Sequence, residues 1–342
     1  MNRPPNNPLN VKVRIPRLGL GCMNISHAYG PPMVASQGIE LIRTAFDMGY
    51  RHFDTATLYG FGSNEQLVGK ALRRVRDDVF LASKCGMAGV DGKKVIDGRP
   101  ETLKRQVDES LSRLGTEYID LYYLHRLDKS VPIEESLGAL LEARSEGKIR
   151  AIGLSEVSVA TLERAVKTAS IAAVQNEYSL WTRNCELGVS QFCADSGITL
   201  VAFSPLCRGF FGIDWSTFTE FKSGDIRAAM PRFQPKAISE NAVLANALDE
   251  LATKIGLTNS QLALAWVLSQ GPHIAAIPGT TSLAHLAENM GGSRIIIDAV
   301  TQSALSDLFL PESVMGNRYP EITQDEIDTE RFHFEVENVG TR

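Results

Sequence analysis

The chain is predicted to be an α/β protein, a (β/α)8 TIM barrel, on three observations. Short apolar runs alternate with longer amphipathic stretches from about residue 18 to about residue 290. The runs number eight, at 18–22, 51–54, 79–84, 119–124, 151–155, 172–177, 199–203 and 273–278. Glycines 49, 115, 147, 197 and 256 fall just past amphipathic stretches, where a helix is expected to stop. Eight strand–helix repeats fit a closed parallel barrel.

The strand runs are short and apolar, as strands covered on both faces require. The helical stretches are 37–48, 64–74, 102–114, 133–146, 159–167, 186–195 and 242–255. Leu103, Val107, Leu111 and Leu114 repeat with helical period, as do Ile133, Leu137, Leu140 and Leu141. An open doubly wound sheet is the competing fold, and it begins with a glycine-rich turn. Gly19 and Gly21 suit that turn, but its third glycine is replaced by Asn24 and no helix start follows.

One domain over 1–342 is expected, with the barrel at about 18–290 and a C-terminal helix and tail at 291–342. Residues 10–17 are read as a small hairpin closing the barrel bottom. The stretch 207–240, after the seventh strand, carries Phe210, Phe211, Trp215, Phe218 and Phe221 without a period. A connection that long reads as a lid or clamp. The tail from about 311 is polar and acidic and either packs over the barrel or frays.

Composition narrows the function. A hydrophobic content of 44% over 342 residues supports a large core, and a net charge of −5 argues against a nucleic-acid partner. No apolar stretch is long enough to cross a membrane. Five scattered cysteines without a CxxC pair read as free thiols. With a polar N-terminus lacking an apolar signal core, they lead us to expect a cytoplasmic protein. No metal site is expected.

Four proton-active residues stand at or just after the ends of successive strands: Asp54, Tyr59, Lys84 and His125, in HFDTATLYG, LASKCG and LYYLHR. In a barrel they converge on the face where active sites lie. Singly, each has a structural explanation: a cap, a half-buried aromatic, a solvated charge, a core hydrogen-bonder. Jointly they suit reduction of a carbonyl. A phenol with its ordinary pKa of about 10 is a weak acid near neutrality, and a nearby ammonium is expected to lower it. Asp54 would orient Lys84, neutral His125 would donate to the substrate oxygen, and Tyr59 would protonate it. The hydride must come from a cofactor.

These residues, with LGLGCM (18–23), FDTATLYG (53–60), GLSE (153–156), QNEYSL (175–180), AFSPL (202–206) and IPGTT…LAEN (277–289), resemble the aldo-keto reductases over residues 13–331. The likeness is greater to a microbial and plant branch than to the animal aldose reductases. It implies that Asp54, Tyr59, Lys84 and His125 are catalytic and that a nicotinamide cofactor crosses the strand ends. By matching position, Ser155 and Gln175 hold the carboxamide, Phe203 stacks on the nicotinamide, and Ser204, Pro205 and Leu206 form the pyrophosphate turn. Arg208 and Gly209 begin the clamp. Gly279, Thr280, Thr281 and Ser282 precede a helix whose amides suit phosphate, and Glu288 and Asn289 meet the adenine.

The chain departs from the family pattern at Glu156, where Asn is common, and at Thr281–Ser282, where a cation is common. His285 stands where Arg is frequent. NADP(H) is favoured, with NAD(H) as the alternative. Met23, Tyr29 and Trp181 are candidate substrate-pocket residues, implying an apolar pocket suited to a hydrophobic aldehyde or ketone. Arg126 either salt-bridges a barrel loop or lines the pocket, whereas Cys85 and Trp266 read as packing residues. Two rivals accompany this reading: an NAD(P)-linked dehydrogenase of a sugar, pyridoxine-like or other cyclic alcohol, and a redox-sensing subunit like the potassium-channel β-subunits.

Overall fold

The apolar runs form strands whose alternate side chains face opposite sides of the sheet. The computed structural model describes residues 13–337. In chain order the strands are β1 (Gly19–Gly21), β2 (His52–Asp54), β3 (Phe80–Cys85), β4 (Met87–Val90), β5 (Lys93–Ile96), β6 (Ile119–Leu124), β7 (Ile149–Ser155), β8 (Ile171–Glu177), β9 (Thr199–Phe203) and β10 (Ile274–Ala276). Eight of them make one sheet in the order β1-β2-β3-β6-β7-β8-β9-β10, and every pair is parallel. Leu18 bridges Ala276, and the Ala276 amide donates to the Arg17 carbonyl at 2.8 Å, which closes the sheet into a barrel.

Inward-facing side chains fill the barrel. Phe80 and Ala82 of β3, Leu121 and Tyr123 of β6, Ala173 of β8, Val201 of β9 and Ala275 of β10 form one buried cluster. Gly153 makes room for it: a Cβ there would lie 2.3 Å from the Tyr123 ring. The larger apolar cluster lies between the outer face of the sheet and the helices. Helix Pro100–Leu114 shows how the sequence sets those helices. It opens on a proline in its first turn, buries Leu103, Val107 and Leu114, and ends at Gly115 with φ of 63°.

Two expectations are corrected, and further elements are added. Residues 13–17 carry no strand, and the rest of the expected N-terminal hairpin lies outside the described residues. Instead, Ile15 packs into the interior cluster beside Phe80. The stretch after β9 is a series of short turns, Cys207–Gly212, Ile226–Ala229 and Pro231–Phe233. The following helix begins at Pro235, not at 242, because proline is preset for a first helical turn. The helix that completes the barrel layer is Asn259–Ser269, buried from Leu262 to Leu268 with Trp266 at its centre. A hairpin, β4–β5, stands outside the barrel on an Asp91–Gly92 turn, both residues having positive φ. The tail packs over the barrel: the Asp328 amide donates to the Glu156 carbonyl at 3.1 Å. Among the described residues no helix is long and apolar enough to cross a membrane.

Candidate active site

The same alternation that fills the barrel places the candidate residues one pleat higher. On β3, Lys84 follows Phe80 and Ala82 on the inner side, paired in register with Tyr123. Asp54 ends β2, and His125 extends β6, its amide donating to the Cys85 carbonyl at 2.8 Å. Tyr59 opens the short turn Tyr59–Gly62 after β2.

Lys84 joins these groups. Its buried ammonium donates to an Asp54 carboxylate oxygen, to the Thr55 carbonyl at 2.9 Å and to the Tyr59 hydroxyl at 3.2 Å. All three ammonium protons therefore have a direction. The other Asp54 oxygen accepts from Gln175 Nε2 at 2.8 Å. The His125 ring stands edge-on to Tyr59, with centroids 5.8 Å apart, and its buried Nδ1 has no partner among the described residues.

Burial dominates the electrostatics. It pushes His125 well below the usual imidazole range, and the neighbouring Arg126 charge adds to the effect. The ring is therefore neutral at pH 7 and retains one N–H. Burial opposes the charge on Lys84, but Asp54 and Tyr59 outweigh it and the ammonium is held above its ordinary range. For Tyr59, burial raises the phenol and exceeds the downward pull of Lys84. The expected lowering is thus reversed in the free protein, because desolvation outweighs the nearby ammonium.

Above these residues opens a cavity of about 590 Å³. Asp54, Tyr59 and His125 lie in its wall, as do Ser155, Gln175, Phe203, Ser204, Pro205, Leu206, Arg208 and Gly209. Gly279, Thr280, Thr281, His285, Glu288 and Asn289 continue the wall, and so do Met23 and Tyr29. The sequence model described as the aldo/keto reductase family matches residues 17–301.

The chain belongs to the aldo-keto reductase family.

It is 41% identical over 308 residues to probable aldo-keto reductase 1 of Glycine max, covering 89% of this chain and 88% of that one. It is 36% identical over 313 residues to aldo-keto reductase yakc [NADP(+)] of Schizosaccharomyces pombe, covering 90% of this chain and 92% of that one. The solved structure of a glycerol dehydrogenase from Gluconobacter oxydans superposes with a TM-score of 0.81 at 28% identity, covering 88% of this chain and 95% of that one.

As a member of this family the chain is an oxidoreductase. Both side-chain amide atoms of Asn289 are buried without a partner among the described residues. An amide stripped of water with neither atom satisfied suits a ligand that both donates and accepts, as a heteroaromatic base does. Phe203 is partly exposed at the end of β9 and offers a flat apolar face. Ser204 and Arg208 have positive φ, of 49° and 54°, strained values typical of ligand-clamping turns. Helix Leu283–Gly292 is capped by Ser282, whose hydroxyl accepts from the His285 amide. Glu288 accepts from the Thr258 hydroxyl at 2.5 Å. The residues present fit a nicotinamide dinucleotide.

One residue sits differently from expectation, and two others are committed to partners within the protein. Trp181 does not line the cavity; it is 2% exposed and packs on Phe210, Phe211 and Phe233. Clamp aromatics bury more of its apolar surface than a solvated pocket wall would. Arg208 lines the cavity, but its guanidinium is committed to Glu177 at 2.6 Å and to the Tyr319 hydroxyl at 2.8 Å. Glu156 is fully buried and faces the tail, accepting from Arg318 and Thr329.

Other wall residues were missed by sequence reasoning. Tyr319, Thr323 and Glu326 come from the tail, and Lys94 comes from the β4–β5 hairpin. Lys94 and Glu326 form an ion pair that joins hairpin to tail. Two glutamates at strand ends, Glu156 and Glu177, were the available signal. Buried there, each needs a cation from elsewhere in the chain.

Proposed function

We propose that this oxidoreductase reduces an aldehyde or ketone to the alcohol with NADPH, Tyr59 serving as the general acid. One observation carries the reading: a single buried ammonium, Lys84, bridges the Asp54 carboxylate and the Tyr59 hydroxyl beside a neutral imidazole. When bound, the nicotinamide supplies the hydride that no side chain can.

The chain's own residues handle the oxygen and its proton. His125 donates a hydrogen bond to the carbonyl oxygen and orients it. Tyr59 gives that oxygen its proton as negative charge develops, and Lys84 stabilises the phenolate left behind. Asp54 keeps Lys84 charged and aimed, and Gln175 holds the second Asp54 oxygen. Ser155 and Gln175 stand at the strand ends to receive the carboxamide, and Phe203 offers the nicotinamide a face. Turn 204–206 and the amides before helix Leu283–Gly292 receive the phosphates. Asn289 and Glu288 receive the adenine. The name of the Schizosaccharomyces pombe relative supports NADP over NAD. Five buried free cysteines suit a reducing cytoplasm.

The glycerol dehydrogenase neighbour favours a second reading, oxidation of an alcohol at the same site. Steady-state rates with NADPH and NADH across carbonyls, and with NADP+ and NAD+ across alcohols, separate the two. NADPH-dependent carbonyl reduction with higher kcat/KM than with NADH is expected. Equal or better use of NADH overturns the cofactor assignment, and turnover confined to alcohol oxidation overturns the direction.

A further inference from the structure

We infer that Arg126 makes this site selective for carbonyl compounds that carry a carboxylate, an inference that rests on the carbonyl-reducing reading above. Arg126 immediately follows His125 and lines the cavity, half-buried. Its Nη1 donates to the His125 carbonyl at 2.7 Å and to the Ser155 hydroxyl at 3.3 Å. Those two bonds tether the guanidinium between the residue that orients the carbonyl and a wall residue of the neighbouring strand. Nε and Nη2 have no partner among the described residues, which leaves one side of a planar donor fork open.

The other lysines and arginines of the cavity wall are all ion-paired, and Arg126 is the exception. Lys94 is held by Glu326, Arg208 by Glu177 and Arg227 by Asp225. Asp54 is held by Lys84, and Glu156 by Arg318. Arg126 is therefore the one lysine or arginine of the cavity wall without a carboxylate partner among the described residues. Glu288, the wall carboxylate without an ion pair, stands after β10, four strands round the barrel from β6. The nearby Glu156 feels the Arg126 charge but is itself ion-paired with Arg318. A half-buried guanidinium with an open edge and no ion pair of its own therefore matches a planar anion bidentately, and a carboxylate has that geometry. Leu58, Met87 and Met23 supply apolar wall for the rest of the molecule. The site thus selects an oxo acid or aldehyde acid with an apolar body over its uncharged counterpart.

The test uses the protein saturated with NADP+, with calorimetric Kd values for benzoate and for benzamide, its neutral isostere. Wild type is expected to bind benzoate about tenfold or more tighter than benzamide, as a charge-assisted pair provides. That ratio should fall close to one in R126M and be partly retained in R126K. The same comparison is made on kcat/KM for carboxybenzaldehydes and carbamoylbenzaldehydes. A ratio near one in wild type, or an unchanged ratio in R126M, overturns the inference. If R126M fails to fold, the wild-type and R126K ratios still decide it. If no aldehyde is reduced while the binding ratio holds, the carbonyl-reducing reading fails and the anion site stands.

Discussion

Glu156 and Arg318 are 162 positions apart, yet Arg318 Nη2 donates to both Glu156 carboxylate oxygens, at 2.9 and 3.0 Å. Neither side chain is more than 1% exposed. The same nitrogen reaches Glu177 at 3.2 Å, and Glu177 is held in turn by Arg208 of the clamp. Strand ends β7 and β8, the clamp and the tail are thereby tied by four alternating charges. Burial resists ionisation of both glutamates, but the arginines outweigh it, leaving Glu156 lowered and Glu177 at about 2.

Removing one partner leaves the others buried and uncompensated, which costs about 3–5 kcal/mol. R318M strands Glu156 and weakens the hold on Glu177, so we expect a loss in that range by urea denaturation. E156Q should cost less, because Arg318 retains Glu177. A loss for R318M no larger than that for E156Q contradicts this arrangement.

Acid should erase the difference between wild type and R318M. Both glutamates have folded values below the ordinary value of about 4.3. Their contribution is therefore complete above that value and is lost as pH falls through the folded values. Denaturation midpoints of wild type and R318M should converge between about pH 4 and pH 2. Curves that stay parallel into acid would place the stabilisation elsewhere.

How much was legible follows from the range of each interaction. Lys84 was readable because strand alternation and strand order decide where it points, and both are local patterns. The Asp91–Gly92 turn was equally local, a dipeptide suited to a two-residue hairpin, and it went unread between its flanking strands. Arg318 was not legible, since nothing within its polar tail says that two glutamates across the barrel await it. Trp181 was misplaced for the same reason. Its burial depends on Phe210 and Phe233, which reach it only once the clamp has folded.

Tyr59→Phe should lower turnover by about 10² to 10⁴, the contribution of a positioned acid. Cofactor affinity, read by quenching of protein fluorescence, should change little. Because burial raises Tyr59 and lowers His125, reduction should be flat in kcat/KM from about pH 6 to pH 9, without an ordinary histidine inflection near 6.5. An inflection there that disappears when His125 is replaced by Gln would show a charged imidazole in the free enzyme. Retained turnover in Tyr59→Phe would remove Tyr59 from the proposed role.

Asn289→Ala should act with opposite sign on stability and on binding. Among the described residues neither buried Asn289 amide atom has a partner in the free protein, a desolvation cost of about 1–3 kcal/mol that alanine does not carry. The variant should therefore be at least as stable as wild type without cofactor. With Asn289 meeting the adenine as proposed, the variant should also bind NADPH about tenfold more weakly, through loss of that contact. A structural role predicts the reverse on the first count: destabilisation of the free protein, with binding unchanged. Thermal denaturation with and without NADPH distinguishes the two, since the increment that the ligand adds shrinks in the variant only if Asn289 contacts it.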